Sequence, residues 1–281
     1  MLAGIALTAP QAAHAWGDEA HEIVALVAEH YLDPAVHAQV MALLATDTDK
    51  LTKHDIASEA TWADHYRDSD AKTTKKRYNA TYWWHFVYTG QPCTGRSDAP
   101  HGANASTGPA KDCVVTKINQ FAAELAEPST MPKERLLALK FLLGLVADVN
   151  DPLHDSDNRG AQTMKMTADG FKAGTLAHFW EYDLVARNGT DAHATADQWI
   201  PAITDAESRG WQAGTPENWA QQGFELARDH TYAKLPAPDA KGVYRLDAVY
   251  VDDASSVVIL QLHKAGLRLA KILNKALAKT S

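Results

Sequence analysis

After residue 15 the 281-residue chain has no apolar run near the ~20 residues that a bilayer-spanning helix needs, which excludes a helical membrane anchor there. It has no Gly/Ser-rich or Pro-rich linker, so residues 16–281 are expected to form one domain. Strand-like alternation is scarce, which argues against a sheet-based architecture. Basic residues are outnumbered, 27 Lys and Arg against 35 Asp and Glu, and the net charge of −8 excludes a broad basic face that grips nucleic acid by charge alone. Cysteine is confined to Cys93 and Cys113, with no CxxC spacing or second pair to suggest a thiolate metal site. A disulfide closing the Gly-, Ser-, Pro- and Asn-rich loop between them suits an exported protein and would contribute about 3 kcal/mol; two free or metal-binding thiols are the alternative.

Residues 1–15 carry no Lys, Arg, Asp or Glu and end in Ala13-His14-Ala15, a small-residue cleavage pattern. This reads as the back half of a secretory signal without its basic start, and the expected location is secreted or periplasmic; an ordinary apolar N-terminal segment is the alternative. The full chain is 46% hydrophobic and 22% charged, the composition of a folded globule. Apolar residues recur at helical spacing near 18–31, 34–46, 55–69, 114–127, 133–149, 175–187, 216–229 and 254–279, with long loops at 90–112, 155–173 and 233–250. The expected fold is all-α.

The most informative stretch runs from Leu136 to His154. It is apolar on nearly every helical face and therefore buried, yet Asp148 falls in line with Leu137, Phe141 and Gly144. A buried carboxylate must meet a cationic side chain, take a proton or bind a metal, because leaving it ionised and unpaired costs several kcal/mol. Pro152 stops the helix and brings His154 close behind, which favours metal over an Arg partner.

Four other segments carry similar chemistry. Trp16 and His21 open a helix just behind the cleavage pattern, where a freed Trp16 amine and carbonyl could chelate; a Trp anchor with an exposed His is the plainer reading. Asp64 and Arg67 stand one turn apart, as in a surface ion pair. His85 sits among aromatics in Tyr82-Trp83-Trp84-His85-Phe86-Val87-Tyr88, where a core His bonded to a carbonyl is equally compatible. The basic run Lys72–Arg77 precedes it, a combination that suits stacked single-stranded bases or a solvated turn. His178 and Glu181, three apart, would share a helix face and could take a metal or simply bond to each other.

In this order, Trp16 with His21, Trp62-Ala63-Asp64, Trp84-His85-Phe86 and Asp148-x-x-x-Pro152-Leu153-His154 closely resemble the zinc-dependent single-strand nucleases of the nuclease S-one and P-one type, which are similar in fold to zinc-dependent phospholipase C. The resemblance implies a single multi-helix domain and a cluster of three zinc ions. It implies one zinc on the Trp16 amine and carbonyl, His21 and Asp148, and a neighbour on Asp64 and His85 bridged by Asp148. The third would take His154, His178 and Glu181. Arg67 would steady phosphate charge, Phe86 would stack a base, and Tyr88 stands where the family recognises that base with Asp. Gly144 stands where the family has a further His ligand, so two zinc ions are the alternative count. The implied activity is endonucleolytic hydrolysis of single-stranded RNA or DNA to 5′-nucleotides by a hydroxide generated at the metal, with 3′-phosphate removal. A phospholipase C-type phosphodiesterase and a zinc-binding homologue with impaired catalysis are the alternatives. A monomer without stable membrane association is expected.

Overall fold

Helices do almost all the structural work in the computed structural model, which describes residues 16–87, 112–156 and 159–278. The expected signal, Tyr88 and Cys93, and with it the disulfide, lie outside those residues. The frame is α1 (Asp18–His30), α6 (Val114–Ala126), α7 (Pro132–Asp148) and α13 (Ala248–Leu277). α7 packs against α6, α13 and α3 (Ile56–Ala60), and α1 lies on both α13 and α3. Every residue from Ala138 to Asn150 is buried, as its unbroken apolar sequence requires. Trp62, Trp84, Phe121 and Phe141 fill the space around α7, with Phe121 and Phe141 stacked at 4.6 Å. Among the described residues no helix is long and apolar enough to cross a membrane.

The all-α expectation holds, with local differences. The segment read as one helix over 55–69 is two, α3 and α4 (Trp62–Asp68), joined at Thr61. The last helix starts at Ala248 rather than near residue 254, because the Asp247 carboxylate caps it by accepting the Tyr250 N–H at 2.9 Å. The two later loops contribute a small sheet of order β2-β1-β3, from Lys165–Ala168 (β1), Gly174–Thr175 (β2) and Val243–Leu246 (β3). β1 runs antiparallel to β2 and parallel to β3. Residues 192–211, not expected to be helical, form α10 (Ala192–Trp199) and α11 (Asp205–Trp211). Asp191 caps the first and Thr204 with Glu207 forms a capping box on the second.

Candidate metal centre

The C-terminal end of α7 meets four other segments. α7 ends at Asp148 as a helix whose next turn Pro152 cannot continue, having no N–H for the Asp148 carbonyl; the Asp151 N–H takes that carbonyl at 2.9 Å instead. The turn is pinned to α13, where Gln261 donates to the Asn150 carbonyl at 2.9 Å and Arg268 to the Asn150 side chain. His154 and the strand-like residues after the 3-10 turn Tyr82–His85 hold each other reciprocally. The His154 ring Nδ1 meets the His85 carbonyl at 2.8 Å and the Val87 N–H donates to the His154 carbonyl at 2.9 Å.

His21, Asp64, His85 and Asp148 converge there, all of them buried. His21 Nε2 lies 3.3 Å from Asp148 Oδ1 and 3.6 Å from Asp64 Oδ2. His85 Nδ1 lies 2.7 Å from Asp148 Oδ2 and 3.6 Å from Asp64 Oδ1. Each histidine therefore faces one oxygen of each carboxylate. His21 Nδ1 is 3.4 Å from the Gly17 carbonyl; a proton on that nitrogen makes Nε2 the ligand atom, the orientation in which second partners fix a metal-binding imidazole.

Burial would push both carboxylates up, but the histidines hold Asp148 well below the usual range, and Arg67 and His85 lower Asp64. Burial opposes a charge on His21, but Asp148 and Asp64 raise it to about 9. A proton on His21 thus occupies the space between two carboxylates that a divalent cation would fill.

A second group adjoins the first: Asp151, His154 and Glu181 present ligand atoms within 4.8 Å of one another. All three are buried, and among the described residues no cationic side chain forms an ion pair with either acid. Burial raises Asp151 to about 6, and burial together with the Asp151 charge raises Glu181 well above its ordinary value. Asp155 beside them is raised by burial and by Asp151 and Asp148, and neither of its oxygens has a hydrogen-bond partner. Five buried carboxylates thus face Arg67, a proton on His21, and Arg268, whose guanidinium is spent on Asn150, Gln222 and the Trp211 carbonyl. Burying so much negative charge without a counterion is unfavourable, and the orphaned oxygens with oriented imidazoles fit a divalent metal.

The remaining site residues are placed differently from expectation. His178 does not join His154 and Glu181: its side chain is 53% exposed, stacks on Tyr182 at 4.9 Å and lies 3.8 Å from Asp183. The reason is a π-helical turn over Phe179–Asp183, whose extra residue breaks the i, i+3 alignment of an α-helix. Phe86 is buried and stacked on His154 at 4.3 Å, so its face supports a ligand candidate instead of standing open to a base. Arg67 is fully buried, paired with Asp64 and bidentate on Asp68 at 2.8 and 2.9 Å. Its guanidinium holds Asp64 in place. At Gly144 a Cβ would come to 3.1 Å from the Ala60 carbonyl and the Ala63 Cβ, so a side chain there requires those neighbours to give by a few tenths of an ångström. Trp16 is buried, with the Gly17 N–H donating to the Glu181 carbonyl at 3.2 Å, so the N-terminal segment is tied to the second group.

Asp151, missed from sequence, was legible as a second acid in the turn that carries Asp148 and His154, but only the chain path shows which way it faces. A cleft of about 400 Å³ opens onto the site, lined by Trp16, Asp18, Asp64, Asp68, Glu181 and Tyr182. Its acidic walls repel a phosphodiester unless cations are present, and with them the same walls hold positive charge at the substrate.

The geometry agrees with what the chain is similar to. A model of the S1/P1 nuclease family matches residues 16–278. Nuclease PA3 of a Penicillium species and nuclease P1 of Penicillium citrinum are each 24% identical over 281 residues, covering 92% of this chain and 97% of the relative. Endonuclease 2 of Arabidopsis thaliana is 24% identical over 282 residues, covering 93% of this chain and 90% of the relative. With its helical scaffold and its histidine–carboxylate centre at the end of α7, the chain belongs to the S1/P1 nuclease family and is a hydrolase of phosphodiester bonds.

Proposed function

We propose that the protein, exported and processed so that Trp16 is its first residue, is a zinc-dependent endonuclease that cleaves single-stranded RNA or DNA to 5′-nucleotides and removes 3′-phosphates. The observation that carries this reading is the convergence of His21, Asp64, His85 and Asp148 with Asp151, His154 and Glu181, a set of acids and imidazoles that a divalent metal would neutralise. Zinc supplies Lewis acidity to phosphoryl oxygens and lowers the pKa of water toward neutrality. The chain's own residues do the rest. Asp148, with one oxygen toward each histidine, would hold metal together with His21, His85 and Asp64, and the Trp16 amine and carbonyl would be further ligands beside His21. Arg67 keeps Asp64 ionised and oriented, and the buried surround of Trp84, Phe86 and Trp180 excludes water from the ligands. Tyr182, with Trp16, is an aromatic of the cleft wall placed to contact substrate.

The test compares hydrolysis of single-stranded DNA, double-stranded DNA, a 3′-nucleotide and phosphatidylcholine by the zinc-loaded protein processed to Trp16. Preferential turnover of the single strand and of the 3′-nucleotide is expected. Absence of phosphoester turnover with metal bound would overturn the enzyme reading. A form that keeps residues before Trp16 should bind zinc more weakly, and equal activity of that form would remove the Trp16 amine from the ligand set.

A further inference from the structure

The π-helical turn that removes His178 from the second group leaves a question of what replaces it. Asp151 is the answer on three grounds. Its side chain is fully buried, and while Oδ1 accepts the Leu153 N–H at 2.8 Å, Oδ2 has no partner at all. Its ligand atom lies within 4.8 Å of those of His154 and Glu181, the two remaining members of the expected third site. Its backbone is held by the turn itself, with the Asp151 N–H on the Asp148 carbonyl and the His154 N–H on the Asp151 carbonyl at 3.0 Å. One rigid turn therefore presents a carboxylate and an imidazole together, and Glu181 approaches from the π-helical turn opposite.

We infer that Asp151, in place of His178, completes with His154 and Glu181 a divalent-cation site of two carboxylates and one imidazole. The inference rests on the proposed metal dependence and specifies which side chains would hold an ion at the second group. A carboxylate on the short turn after α7 does what an imidazole from the 176–186 helix would otherwise do, and it frees His178 to stack on Tyr182 at the surface. It also gives the buried Asp151 Oδ2, which has no hydrogen-bond partner, a cation to face in place of a proton.

The experiment measures zinc per chain after equilibrium dialysis, together with the zinc-induced rise in thermal midpoint, for the processed protein and for Asp151→Asn and His178→Ala. Asp151→Asn should lose one zinc ion, or bind it about 100-fold more weakly, and show a smaller zinc-induced rise. Its metal-free form should be at least as stable as the parent, because an unpaired buried charge has been removed, so lost zinc cannot be ascribed to misfolding. His178→Ala, a change at an exposed side chain, should keep the full complement. Full zinc in Asp151→Asn, or a lost ion in His178→Ala, would overturn the assignment while leaving metal dependence intact. A parent protein that binds no zinc would overturn both.

Discussion

α7 carries two buried carboxylate clusters that differ in where their positive charge comes from. Midway along it, Lys140 reaches Asp47, Asp49 at 2.7 Å and Glu59 at 3.3 Å, with its ammonium 4.3 Å above the Trp62 ring. The chain itself supplies that cation. Even so, three acids share one lysine, and burial raises Glu59 to about 7. Asp47, His54 and Glu59 could also be read as metal ligands, but the lysine already occupies that region and answers its charge. At the C-terminal end of the same helix, Asp148, Asp64, Asp151, Asp155 and Glu181 have far less cationic compensation among the described residues: Arg67 pairs with Asp64, and no Lys or Arg forms an ion pair with Asp151, Asp155 or Glu181. Burial of acid alone therefore does not mark a functional centre. What marks it is buried acid with no cationic partner among the described residues, beside imidazoles oriented by backbone carbonyls.

The largest effect is expected at the open cluster. Asp148→Asn should lower hydrolysis of single-stranded DNA by about 10³-fold or more and reduce zinc content, since it removes the carboxylate between His21 and His85. Unchanged zinc and turnover would show that the two clusters are alike after all. Lys140→Met is the matching break in the closed cluster. It should cost about 3–5 kcal/mol in chemical denaturation by leaving Asp47, Asp49 and Glu59 uncompensated, while zinc per chain stays constant.

Acidity separates the clusters further. Asp151 titrates near about 6 in the fold, above its ordinary value, so its contribution to stability is complete at low pH and lost as pH rises through about 6. Asp155 and Glu181 shift in the same direction, and His21, raised to about 9, also loses its contribution on the alkaline side. Asp148 and Asp64, held low, act oppositely and lose theirs only as pH falls below the ordinary carboxylate range. The stability of the metal-free protein should therefore fall between about pH 4 and about pH 6, by on the order of 3 kcal/mol from Asp151 alone, and fall further toward pH 9 through His21. Saturating zinc should remove the part that comes from Asp151, Glu181 and His21, and a calorimetric series with and without zinc measures it.

The smallest effect concerns the helix surface between the clusters. Gly144→Ala gains about 1 kcal/mol of helix propensity but forces a Cβ to 3.1 Å from the Ala60 carbonyl and the Ala63 Cβ, an overpacking cost of about 1–3 kcal/mol. A net loss near 1 kcal/mol is expected by urea denaturation, and Gly144→His should lose more without gaining zinc. A gain in zinc by that variant would restore the view of position 144 as a vacant ligand site.

Much of the centre was legible because its clues are local. An acid in an otherwise apolar helix, a proline and histidine directly after it, and a tryptophan–histidine pair opening another helix can each be recognised without coordinates. The two helices over 192–211 were equally open to reading, since Thr204 with Glu207 is a capping signature in sequence. Partner choice was less accessible. His178 and Glu181 share a face on an ideal α-helix, and nothing in their spacing announces the π-helical turn that parts them. Phe86 and Arg67 are similar: residue type suggests contact with substrate, but packing spends one on His154 and the other on Asp64 and Asp68.

The sequence by itself determined the helical class, the burial of α7 and the need for a counterion at Asp148, because periodicity and the cost of burying charge act over a few turns of one segment. Only the tertiary structure decided that Lys140 answers one acidic cluster while Asp151 and Glu181 have no such answer, and that Gly144 accommodates a neighbouring backbone. Those outcomes depend on which side chains meet across distant helices, where a fraction of an ångström or one extra residue in a turn decides which atom faces the site.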